Sequence, residues 1–318
     1  MFSTLGAGSE APGDLDRLIA REPAILTTSA GREFRGLLDG LQGERLGLRL
    51  ATDGGEVAYS FATTEIAAIR WPGTALEVEM REHLERGFVF EALPALEALC
   101  RHRLRYFALL PPAQRDNLWL LIEHGARHGD PGTVRATLRA LNHCDLSAEK
   151  HRLLLTAELH LALRSADTAT TAESAARWCA AADPGGDSAL GWRVLARLAY
   201  DAGDFERARW IALQPICLSG HLSNEDLDLC FALAIAASDR LGDLGHALTL
   251  HHDRLQRHIP WPAEPDFAAL GRHYSPDGNH PPDRLFFPPA PPSANPRKSD
   301  PPPILGTAPL SETTPSLR

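Results

Sequence analysis

The sequence predicts a multidomain fold: a small all-β barrel near the N-terminus, then an all-α array of helical hairpins, then a C-terminal tail without fixed structure. Three observations point there. Apolar and polar residues alternate with period two over residues 24–73. From Thr74 to about Tyr274 the period becomes helical and a turn signal recurs. Finally, 13 of the 25 prolines lie in the last 43 of 318 residues. The expected segments are 1–13, a flexible N-terminus; 14–73, a short helix and the barrel; 74–275, about five helical hairpins; and 276–318, the disordered proline-rich tail.

Composition narrows the function classes. At 44% hydrophobic content and 318 residues the chain can bury two cores. Its formal charge of −9 argues against a general nucleic-acid binder, which needs an excess of cations to meet phosphates. The five cysteines (Cys100, Cys144, Cys179, Cys217, Cys230) are far apart in Ala/Leu-rich stretches, and are expected to be core thiols of a reducing compartment. "MFSTLGAGSEAPGDLD" has neither a positive start nor an apolar run, and no window approaches a membrane span. The expected compartment is the cytoplasm, with no membrane partner.

Asp14 is placed to cap a short helix, "DLDRLIAREP", which ends before Pro23. In the strand region "RLGLRL" sets Leu46, Leu48 and Leu50 on one face, and "EVAYSF" sets Val57, Tyr59 and Phe61 on one face. Turn-formers break the runs at Ala30-Gly31, Asp39-Gly40, Gln42-Gly43 and Asp53-Gly54-Gly55. Four or five strands in so short a span favour closure, because an open sheet of this size leaves unpaired edges. The order of short helix, bent pair around "GREFRGLLDGL", "RLGLRLAT" and closing "FATTEIAAIRWPG" resembles the Sm-like fold, and SH3-like barrels share the rhythm. Bacterial Sm-like RNA chaperones carry a Lys-His pair before the closing strand; Thr63-Thr64 stand at that place here. The resemblance therefore implies fold rather than RNA binding. It also implies that subunits can associate through the barrel.

In the helical region the repeated signal is Gly87-x-Val89-x-x-Ala92, Gly129-x-Pro131-x-x-Val134, Gly203-x-Phe205-x-x-Ala208 and Gly242-x-Leu244-x-x-Ala247, with a degenerate copy at Ala166-x-Thr168-x-x-Thr171. Successive spacings of 42, 37, 37 and 39 residues lie near the tetratricopeptide period. In "WRVLARLAYDAGDFERARW", Gly203 ends one helix in a left-handed conformation and Asp204 caps the next. Phe205 plugs the gap between the helices, Ala208 lets them approach, and Trp192 lies on the packing face. This stretch resembles the tetratricopeptide motif, which implies an α-solenoid that binds protein segments in its groove.

Catalytic patterns are not found. "HALTLHHDRLQRH" spaces His246, His251, His252 and His258 unlike a helical metal pair, and surface solvation is expected for them. His83-Leu84-Glu85 matches the opening of a zinc-deaminase signature without its P-C-x-x-C partner. "LGAGSEAPG" follows no strand, and no nucleophile elbow or P-loop occurs. No cofactor or metal is expected, and an enzyme remains only as a site assembled from distant residues.

Arginines mark the expected binding surface. Arg127, Arg164 and Arg240 each stand two residues before a turn position, and Arg193 and Arg197 serve the unit that has Asp201 there. Trp119 and His160 fall on related faces. Such a row suits an acidic peptide or a carboxylate, although arginine near a helix C-terminus is also favoured by the dipole alone. In the tail, "LFFPPAPP" pairs apolar anchors with prolines and suits an aromatic groove. The expected function is a non-catalytic scaffold or adaptor. The alternative is an RNA-associated protein using the barrel, for which Arg32, Arg35, Arg45 and Arg49 are the cation supply.

Overall fold

Asp14 stands in the first turn of α1 (Pro12–Arg21), which buries Ile19 and leads into β1 (Ala24–Thr28). The computed structural model describes residues 12–52, 55–181, 188–218, 222, 224–274 and 286–287. They divide between two units, Met1–Ser165 and Ala166–Arg318. In the first unit β1 is followed by β2 (Glu33–Gln42), β3 (Arg45–Thr52), β4 (Gly55–Ala62) and β5 (Ile66–Arg70). All pairings are antiparallel, in the order β4-β3-β2-β1-β5.

β2 serves two partners. Its first half pairs with β1, Gly36 opposite Ala24, and its second half with β3, Leu37 opposite Arg49. The bend needs glycine at its pivot: a Cβ on Gly36 would lie 2.4 Å from the Arg49 carbonyl oxygen. Asp39-Gly40, expected as a strand break, is instead a bulge inside β2, where the register shifts and Gly40 takes φ 122°. Leu46 and Leu48 are fully buried as the alternation predicts. Val57 and Tyr59 are 41% and 43% exposed, so the inward face of β4 is buried only at Phe61. β4 and β5 end the strand order and do not pair with each other among the described residues, so strand pairing does not close the expected barrel.

The change at residue 74 is one of secondary structure rather than of packing. α2 (Thr74–Glu85), α3 (Val89–Leu104), α4 (Asp116–Leu120), α5 (Ala126–His128), α6 (Pro131–Leu141) and α7 (Ala148–Ser165) complete the first unit. Leu26 and Leu48 from the sheet and Trp71 just after β5 share one core with Met80, Leu96, Leu99, Leu121 and Leu154 from the helical region. Each such side chain removed from water contributes roughly 1.5–3 kcal/mol before chain entropy is set against it.

The second unit holds α8 (Thr168–Ala181), α9 (Leu190–Asp201), α10 (Phe205–Leu218), α11 (Asn224–Arg240), α12 (Leu244–Gln256) and α13 (Pro265–Tyr274). Successive helices from α8 to α12 pack on one another, and α13 packs on α11. At Gly87, Gly203 and Gly242 the glycine takes φ 78–80° and the chain closes the same pair of bonds. For Gly203 these are Gly203 N–H to Tyr200 O and Asp204 N–H to Ala199 O. This is the Schellman ending, which satisfies the last carbonyls of one helix before the next begins. Ala166, the degenerate copy, also lies left-handed at φ 54°. Gly129 departs from the pattern with φ −79°: a π-turn over Leu121–Gly125 joins α4 to α5, and Asp130 caps α6 at Thr133 N. No described helix is long and apolar enough to cross a membrane.

Candidate segment-binding site

The site grows from an anomaly at the end of α11. Phe231 through Asp239 are buried without exception, so this helix is surrounded by its neighbours. Ala232, Ala234, Ala236 and Ala237 keep it slim enough for them to close in. Ser238 returns its hydroxyl to the Ala234 carbonyl at 2.9 Å, which leaves Asp239 as the polar group to be satisfied. Asp239 is fully buried and sits in the last turn of its helix, where the dipole disfavours an anion. A carboxylate stays there only if donors converge on it.

Three donors do. The Tyr274 hydroxyl donates to Asp239 Oδ2 at 2.7 Å. The Phe286 N–H donates to the same oxygen at 2.8 Å, and the Phe287 N–H to Oδ1 at 2.7 Å. Residues 286–287 form a bend, which turns both main-chain donors to one side, as an anion-binding nest does. Burial and then the Asp239 bond push the Tyr274 hydroxyl up from its ordinary range, so it stays a donor.

The rings are held as specifically as the backbone. The Arg240 guanidinium lies 3.8 Å from the Phe287 ring centroid and 5.9 Å from that of Phe205. Phe286 packs against His273 at 5.3 Å and edge-on against Phe287 at 4.7 Å. Behind Tyr274, His251 lies between it and Trp261, at 5.7 and 5.9 Å. Burial, then the charges of Arg254 and His252, lower His251 to about 4, so it is a neutral core ring and not the solvated surface histidine expected from sequence. The tail is thus not wholly without position: Phe286 and Phe287 join the core of the second unit, while 275–285 and 288–318 lie outside the described residues.

The arginines expected to line a groove are each engaged within their own unit. Arg127 donates from Nε to His160 Nε2 at 3.1 Å, and Arg164 to the Ala126 carbonyl at 3.3 Å. These two and His160 therefore come together on α5 and α7. Burial and the neighbouring Arg127 and His128 lower His160 to about 4, which suits an acceptor nitrogen. Trp119 carries Lys150 over its ring at 4.8 Å. In the second unit Arg193 faces Asp228 at 3.9 Å. Arg197 holds both oxygens of Asp201 at 3.0 Å and Glu264 at 2.5 Å. Among the described residues Arg240 alone of these arginines faces a tail residue, and what it meets there is the Phe287 ring.

The repeat-motif residues sit together. Phe205 packs on Tyr200 at 5.3 Å, beside fully buried Ala208, and Asp204 accepts from Arg207 N at 3.2 Å. Trp192 is buried edge-on to Trp178 at 5.5 Å. Among the cysteines Cys100 and Cys230 are buried, but Cys217 is exposed. Cys144 lies in the turn after α6, where its sulfur accepts from Arg115 at 3.2 Å.

Sequence reasoning passed over Asp239, His273 and Tyr274. The readable signal was one carboxylate closing the apolar run "FALAIAASD". Its partners are 35 to 48 residues away, beyond any helical period. No family model matches the chain, and no curated protein or solved structure matches it either.

Proposed function

We propose that the protein is a non-catalytic interaction scaffold that seats a protein segment on the C-terminal helices of a tetratricopeptide-like hairpin array. An Sm- or SH3-like sheet region supplies a second contact surface. One observation carries this reading: a buried carboxylate, itself held by the Tyr274 hydroxyl, accepts from the main chain of two consecutive residues of a segment, and a cation covers the ring of the second. The contacts in the site are of the binding kind: Asp239 accepts from two main-chain N–H groups, and Arg240 lies over the Phe287 ring. The repeated Schellman turns and close-packed alanines support the tetratricopeptide-like reading of the hairpins.

The test is capture of partners from the native cell by tagged wild-type chain and by an Asp239→Ala/Arg240→Ala variant, with the 260/280 nm ratio recorded. The reading predicts a protein partner that the variant loses, and a low ratio. A partner set unchanged by the variant contradicts it. A high ratio that ribonuclease collapses would instead favour RNA at the sheet. Arg49, one of its four candidate cations, is already paired with Asp39 at 3.0 Å and Glu56 at 3.5 Å.

A further inference from the structure

We infer that the Asp239 seat is a recognition site for a bent segment bearing two adjacent aromatic residues, and that the chain's own Phe286–Phe287 occupies it in competition with such a segment from a partner. The inference rests on the scaffold reading and adds to it the chemistry of the partner and a means of control.

Helices α9 to α13 bury one continuous apolar core, and both phenylalanines pack against it while only partly buried themselves. Their hold depends on features that any polypeptide segment can supply. Asp239 reads two successive N–H groups, which carry no side-chain information. Selectivity then falls to the rings. The Arg240 cation over Phe287 and the His273 ring against Phe286 ask for an aromatic residue at each position. An aliphatic residue satisfies neither contact equally. The charge of the seat adds direction: a segment with a carboxylate in place of either ring would meet the buried Asp239 as a like charge.

The sequence after the pair fits the same logic. Pro288 and Pro289 have no N–H, so the run of donors presented to the seat ends at Phe287. A tethered segment competes at an effective concentration that a free partner must exceed, so the seat discriminates against weak or scarce ligands.

The experiment measures fluorescence anisotropy of a labelled peptide with the sequence of residues 283–292, added to the full-length chain. The wild-type chain is expected to bind it weakly. A Phe286→Ala/Phe287→Ala chain, whose own segment loses both ring contacts and keeps only its main-chain donors, is expected to bind it at least about tenfold more tightly. Adding Asp239→Asn to that variant should abolish the gain, and a peptide with both phenylalanines changed to alanine should not bind. Phe287→Leu keeps the apolar volume, covers the case in which the double variant unfolds, and should bind at intermediate strength. The inference is overturned if no folded variant binds the peptide, or if the wild-type chain binds it as tightly as the double-alanine chain. Either result leaves the scaffold reading to be judged by Asp239-dependent capture of a partner.

Discussion

Asp239 shows how one residue can organise a site. Its burial in the last turn of α11 is unfavourable on two counts, and three donors offset both. Asp239→Ala would strand the Tyr274 hydroxyl and two N–H groups, so we expect a loss of roughly 2–4 kcal/mol in urea denaturation. A loss below about 0.5 kcal/mol would mean the three bonds contribute nothing net. Buried histidines make a separate prediction. Burial, followed by nearby cations, lowers His102 and His251 from 6.5 to about 4. Between those values the unfolded chain binds protons that the folded chain refuses. Stability present above pH 6.5 is therefore lost as the pH falls toward 4, on the order of 2–3 kcal/mol per histidine. His251→Phe should lose about 2 kcal/mol less than wild type between pH 7 and pH 5 in the same measurement. Equal losses would place the proton uptake elsewhere.

At the scale of elements, the hairpin turns were legible because their chemistry is local. A helix that stops in a left-handed residue selects glycine, and Gly87, Gly203 and Gly242 declared themselves in the sequence. A Cβ at Gly203 or Gly242 meets no atom within 4 Å, so Gly→Ala there should cost only the conformational term, about 1 kcal/mol each. Ala166 takes the same conformation without that freedom. Ala166→Gly should accordingly raise stability by about 0.5–1 kcal/mol, read as a higher denaturation midpoint, and a lower midpoint would contradict the reading. Two glycines misled. Gly129 is extended because the π-turn before it changes how the hairpin turns, and Gly40 sits in a bulge rather than between strands. Glycine marks unusual backbone, but which kind depends on the partner strand or helix.

Over the whole molecule, the succession of strands, hairpins and tail could be read from period and proline content, since each is written in neighbouring residues. The sharing of one core by the sheet and the first hairpins could not, because Trp71, Met80 and Leu99 meet through tertiary packing. The site was equally hidden. Its residues come from the end of α11, the end of α13 and the tail, and none carries a spacing that announces the others. The arginine row was visible for the opposite reason: it is regular in sequence, while its members have separate intramolecular partners. The central claim is that Asp239 grips the main chain of Phe286 and Phe287, and amide hydrogen exchange on the full-length chain tests it most directly. Both amides are expected to exchange at least about tenfold more slowly than those of an unstructured chain, and Asp239→Asn should speed them without exposing the rest of α11. Exchange at the unprotected rate in the wild-type chain would contradict the account.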